Sequence, residues 1–150
     1  MHVKNLVGLR ALAVVAAVAA LTAANTGVAI AKPGGVPAIP LNTSQETTGS
    51  NTGASGFFSY SITGNQLCYT MTARNLSVPA AAAHIHLAPR NVAGPIVIPL
   101  VVGSGTSWTM QNCATADPVL LQAVAANPRD YYANVHTSTF AGGEIRGQLK

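Results

Sequence analysis

From about Gly56 onward the chain alternates apolar and polar residues with a period of two, the pattern of a strand with one buried face. In residues 56–63, Phe58, Tyr60 and Ile62 share one side while Ser59, Ser61 and Thr63 share the other. After the turn signal Gly64-Asn65, the side holding Leu67, Tyr69, Met71 and Ala73 alternates with Cys68, Thr70 and Thr72. Together these stretches predict a β-hairpin. Pro95 to Val102 predicts another strand with Ile96, Ile98 and Leu100 in step. Pro99 has no N–H to give to a ladder, which places that strand at an edge or a bulge. Residues 106–112 around Trp108 predict a short strand or loop ending at Cys113.

Two further stretches carry the same period and all the histidines outside the leader. In Ala83-His84-Ile85-His86-Leu87 the apolar residues point one way and His84 and His86 the other; in Asn134-Val135-His136-Thr137, Val135 opposes Asn134 and His136. A closing strand over 143–149 turns Ile145 and Leu149 inward and Glu144, Arg146 and Gln148 outward. One segment breaks the pattern. Asp117-Pro118 supplies a capping acid and a proline at the first helical position, Val119, Leu120, Ala123 and Val124 form an apolar stripe, and Asn127-Pro128 ends it. Seven or so short strands and one short helix near 117–127 predict an all-β fold. The expected form is an antiparallel Greek-key sandwich or barrel, immunoglobulin-like or superoxide-dismutase-like.

The start of the chain reads differently. His2, Lys4 and Arg10 precede an uncharged apolar run from Ala11 to Ala24, and Ala29-Ile30-Ala31 offers small residues for a peptidase. Residues 1–31 therefore read as a secretory signal peptide; the run is shorter than the roughly 20 residues a membrane span requires. The Pro- and Gly-rich stretch KPGGVPAIP makes 32–41 a flexible lead-in, and 42–150 the β domain. No later segment is long and apolar enough for a transmembrane helix. These features imply an extracytoplasmic protein, in the cell envelope or outside the cell.

The formal charge of +4 shrinks once Lys4 and Arg10 leave with the leader. The remaining Lys32, Arg74, Arg90, Arg129, Arg146 and Lys150 are scattered without interleaved aromatics, which gives no basic patch for nucleic acid. Cys68 and Cys113 are the only cysteines, and in an exported chain two thiols read as a structural disulfide. Closing a loop of 45 positions removes about 4 kcal/mol of chain entropy from the unfolded state, before strain.

His84 and His86 stand two apart on one strand, so both rings leave the same face. If the strand carrying His136 is their neighbour, which the sequence leaves open, the three admit a site for one copper or zinc ion, with Asn134 or Glu144 orienting a ring through its second nitrogen. Two alternatives stand beside it: a polar network tying the two strands together, and uncoupled exposed histidines. Glu144 and Arg146 read either as a surface ion pair or as an extension of a recognition surface that includes Asn134. Tyr131 and Tyr132 straddle the sheet, one for the core and one for that surface; Trp108 reads as packing. No serine sits in a G-x-S-x-G elbow and no two acids are paired, so the sequence offers no catalytic arrangement.

The blocks AAHIHLAP, GPIVIPL, YYANVHT and GGEIRGQL, with Cys68-Tyr69 and with Asn127-Pro128 ahead of Tyr131, resemble a CHRD (chordin-type) domain over about residues 42–150. The resemblance implies a secreted, β-rich module and no defined activity. In chordin itself, growth-factor contacts are associated with other modules. A fainter likeness is to copper/zinc superoxide dismutases, in which an H-x-H strand supplies copper ligands. That family's full site needs several more histidines and an aspartate, whereas the mature chain adds only His136, so a dinuclear centre cannot be assembled. The functional expectation is a non-catalytic binding module, using its histidine-bearing face on an unknown protein or envelope component. The alternatives are a mononuclear copper or zinc protein and a purely structural module.

Overall fold

The computed structural model describes residues 38–150; the leader read at 1–31 and most of the lead-in lie outside them. Eight strands are found among the described residues: β1 (Ile39–Asn42), β2 (Ser55–Thr63), β3 (Gln66–Arg74), β4 (Ala80–Leu87), β5 (Ile96–Leu100), β6 (Trp108–Thr115), β7 (Tyr131–Thr137) and β8 (Ile145–Gln148). One α-helix, α1 (Pro118–Ala126), joins β6 to β7. All pairings are antiparallel, in the order β5-β4-β7-β8-β1-β2-β3-β6. The sheet curls into a nearly closed barrel or sandwich. At its seam Tyr69 Oη accepts from Val101 N at 2.7 Å, tying the chain after β5 back to β3.

The period-two alternation produces the core directly. Phe58, Leu67, Met71, Ile85, Ile98, Val135 and Ile145 are fully buried on the inner face. β5 and β6 occupy the two edges, and Pro99 sits on β5, where a missing donor does least harm.

Four details differ from the sequence expectation. The sheet begins at Ile39, inside the stretch read as a lead-in, because Ile39 and Leu41 flank an exposed Pro40 and bury against the core. Cys113 lies on β6 directly across from Cys68, not in a loop; the two are joined by a disulfide. In α1 the buried residues are Leu121 and Val124, while Val119 is turned to solvent. The cap itself forms as the sequence predicts, Asp117 Oδ1 accepting from Val119 N at 2.7 Å. Finally, β7 is buried on both faces over its whole length. Its outer face is roofed by the loop between β4 and β5 and the loop between β7 and β8.

Candidate metal centre

Pairing of β4 with β7 places His84 opposite Asn134 and His86 opposite Tyr132, with His136 opposite Ala82. Since directly opposed residues project to the same side, the three imidazoles meet on the outer face. Each offers a ring nitrogen, and these atoms all lie within 4.8 Å of one another. His86 and His136 are buried, and His84 is half-buried. The face is covered, and of the three rings only His84 is more than marginally accessible.

The ring orientations are set by backbone. His86 Nδ1 donates to Gly94 O at 2.9 Å and His136 Nδ1 donates to Ala141 O at 2.9 Å. A carbonyl oxygen only accepts, so both Nδ1 atoms carry hydrogen and both Nε2 atoms carry lone pairs in the neutral rings. Those two Nε2 atoms face each other at 3.2 Å. Two nitrogens of one tetrahedral metal ion at normal Zn–N length stand about 3.3 Å apart. A proton shared between the rings is opposed by burial. Burial pushes the His86 and His136 pKa values down despite the raising effect of their carbonyl partners. Burial, with the charges on His136 and His86, lowers that of His84 to about 4. Within a roughly neutral pH range the cluster is three uncharged imidazoles with converging lone pairs, a good donor set for copper or zinc. His84 Nδ1 is buried without a hydrogen-bond partner.

Asn134 and Glu144, the expected orienting groups, make no hydrogen bond to the rings; Asn134 donates to Gly142 O, and Glu144 accepts from Thr52, Ser77 and Thr137. Backbone carbonyls do that work, and the loops delivering them are shaped by glycine. A side chain at Gly94 would collide with the Leu87 carbonyl, and Gly94 N donates to Tyr132 Oη at 3.2 Å, so one residue anchors both rings. Tyr132 lies flat on His86, with centroids 4.8 Å apart and planes at 7°. Gly143, at φ 128°, leaves room for the Asn134 amide and the Glu46 carboxylate.

The surface pair expected between Glu144 and Arg146 is not formed either. Both are buried, because the loops that roof the face close over them. Glu144 Oε1 accepts from Thr52 Oγ1 and Ser77 N at 2.8 and 2.7 Å. Its Oε2 accepts from Ser77 Oγ and Thr137 Oγ1, each at 2.8 Å. Burial raises its pKa, but these four donors to the charged form outweigh that and leave it below the usual range. Arg146 instead donates from Nη1 to Val92 O at 2.9 Å and from Nη2 to Pro89 O at 3.3 Å, and stacks its guanidinium 3.2 Å over the Tyr132 ring.

Glu46 was not singled out by the sequence. Neither of its buried carboxylate oxygens has a hydrogen-bond partner, and burial lifts its pKa to about 7 against the lowering influence of Arg146 and the Thr47 backbone. A lone acid in an otherwise uncharged polar stretch was the only available signal. The short distance from Glu46 to Gly143 comes from the β1–β8 pairing, which no local pattern encodes.

The CHRD domain family matches residues 38–149. The chain belongs to the CHRD domain family. Comparison with curated proteins and with solved structures gives no match.

Proposed function

Starting from a CHRD domain whose covered sheet face carries three convergent imidazoles, we propose that the protein is an exported binding module that holds one copper or zinc ion through His84, His86 and His136. The observation that carries this reading is the pair of Nε2 lone pairs facing at 3.2 Å, each fixed by a carbonyl behind its ring. A shared cation would relieve that arrangement, and carbonyl-anchored imidazoles are the usual outer support of metal ligands. Among the described residues no acid or cysteine joins the cluster, so a fourth ligand would come from water or from a partner. With no nucleophile or paired acids beside it, the site suits carriage or metal-assisted docking better than catalysis. Export is supported by the leader pattern of 1–31 and by the Cys68–Cys113 disulfide. The partner, an envelope component or another exported protein, is defined only by access to the His84 side.

Metal analysis of protein purified without an affinity tag tests the reading. One ion per chain is expected after incubation with copper or zinc, falling to background in His86→Ala. Wild-type protein that retains neither ion after gel filtration, while remaining folded, would sink it in favour of a purely structural polar network.

A further inference from the structure

We infer that the three-histidine site prefers copper in its cuprous state, and that Arg146, acting through the Tyr132 ring on the ligand His86, sets that preference. This rests on the metal reading above.

All three donors are neutral, so the ion brings the only charge inside the cluster. The fixed charge stacked toward it is positive. The Arg146 guanidinium carbon stands 3.2 Å from the Tyr132 centroid, and that ring lies parallel to His86 at 4.8 Å. Since β7 lies between β4 and β8, the two partners approach Tyr132 from opposite sides. The guanidinium therefore faces a ligand across the thickness of one aromatic ring. Arginine stays protonated in proteins, so it cannot relieve the repulsion by losing a proton. Nor can it swing away, since it is 1 % exposed and grips Val92 O and Pro89 O. Its third acceptor, Gln148 Oε1, is also neutral, and the nearby Glu46 carboxylate, coupled to it but not hydrogen-bonded, offsets its charge only in part.

A dication meets this field with twice the repulsion felt by a monocation. At a separation of roughly 8–10 Å and an effective dielectric between protein and water, the extra charge shifts the balance between the two copper states about tenfold. Zn²⁺ suffers the same penalty as Cu²⁺, and it also wants a fourth ligand that the described residues do not supply. A cuprous ion is content with three imidazole nitrogens.

The test is the midpoint potential of the copper form of the full chain, with Cu⁺, Cu²⁺ and Zn²⁺ affinities measured by chelator competition. Wild-type protein is expected to bind Cu⁺ most tightly. Arg146→Gln should lower the potential by the tenfold change, about 59 mV for one electron, and Arg146→Lys should restore most of it. If Arg146→Gln does not fold, Glu46→Gln decides the matter. It removes a negative charge coupled to Arg146 from a carboxylate that accepts from no other side chain, and at pH 8 it should raise the potential. A preference for Cu²⁺ or Zn²⁺, or a potential indifferent to these substitutions, overturns the inference while the metal site stands. Failure to hold any ion overturns the metal reading itself.

Discussion

The two halves of this sheet follow the same inward pattern and differ completely on their outward side. In the β2–β3–β6 half, serines and threonines alternate with the core residues and reach solvent, and the bond between Cys68 and Cys113 clips β3 to β6. In the β4–β7–β8 half the outward positions hold His86, His136, Asn134, Tyr132 and Arg146, all buried beneath loops. Burying polar and charged groups is unfavourable unless each is paired. The first half is what a strand pattern produces when only stability is at stake. The second carries a desolvation burden, offset by hydrogen bonds from the rings and the guanidinium to backbone carbonyls. Within it, Glu144 is saturated by four donors and Glu46 by none, so even neighbouring acids are treated oppositely.

The largest effect should come from Glu144→Ala. It removes the acceptor of four hydrogen bonds to a charged group, from Thr52, Ser77 and Thr137, and leaves the Thr137 hydroxyl buried without it. This should cost about 3–5 kcal/mol in urea unfolding. A loss under 1 kcal/mol would mean that the loops simply open to water. Next, replacing Cys68 and Cys113 together by alanine should remove roughly 2–4 kcal/mol and leave metal affinity unaltered. A matching loss of metal would show that the two halves are coupled.

Two pH responses of opposite sign should separate the histidines from Glu46. The histidine pKa values are depressed in the fold. Their contribution is thus complete above the unfolded value of 6.5 and is lost as pH falls toward about 4 for His84. Bound metal should leave over the same acid range, visible in a pH titration monitored by metal release. Glu46 is raised to about 7, so its contribution is complete below its unfolded value of 4.5 and is lost as pH climbs to about 7. Glu46→Gln should therefore stabilise the protein at pH 8 by on the order of 1 kcal/mol after discounting its partial solvent screening, and should not do so at pH 4. The smallest effect belongs to the open half: Ser61→Ala, on the exposed side of β2, should stay within about 0.5 kcal/mol.

Much of the fold was legible because strand periodicity is local. The turn at Gly64-Asn65, the alternation of Leu67 through Ala73 and the Asp117 cap each act between residues a few positions apart. The helix face was misjudged at Val119 because a short helix leaves little periodicity to read, and the barrel decides which side it covers. The candidate ligands were legible for the same local reason, since i and i+2 on a strand must share a face.

Their company was not. Carbonyls of Gly94 and Ala141 orient the rings, and any residue type supplies a carbonyl, so no motif announces them. The roof over Arg146, and with it the change from surface pair to buried stack, depends on where loops distant in sequence come to rest. By itself, the order of residues determined which side chains face the core and that His84 and His86 share a face, because both follow from backbone geometry over a few residues. That His136 joins them was decided by the pairing of β4 with β7. Only the tertiary structure decided that this face would be closed, how its nitrogens are aimed and which charges stand beside them. Those outcomes depend on contacts between distant segments, such as Arg146 with Val92, and on the desolvation those contacts impose.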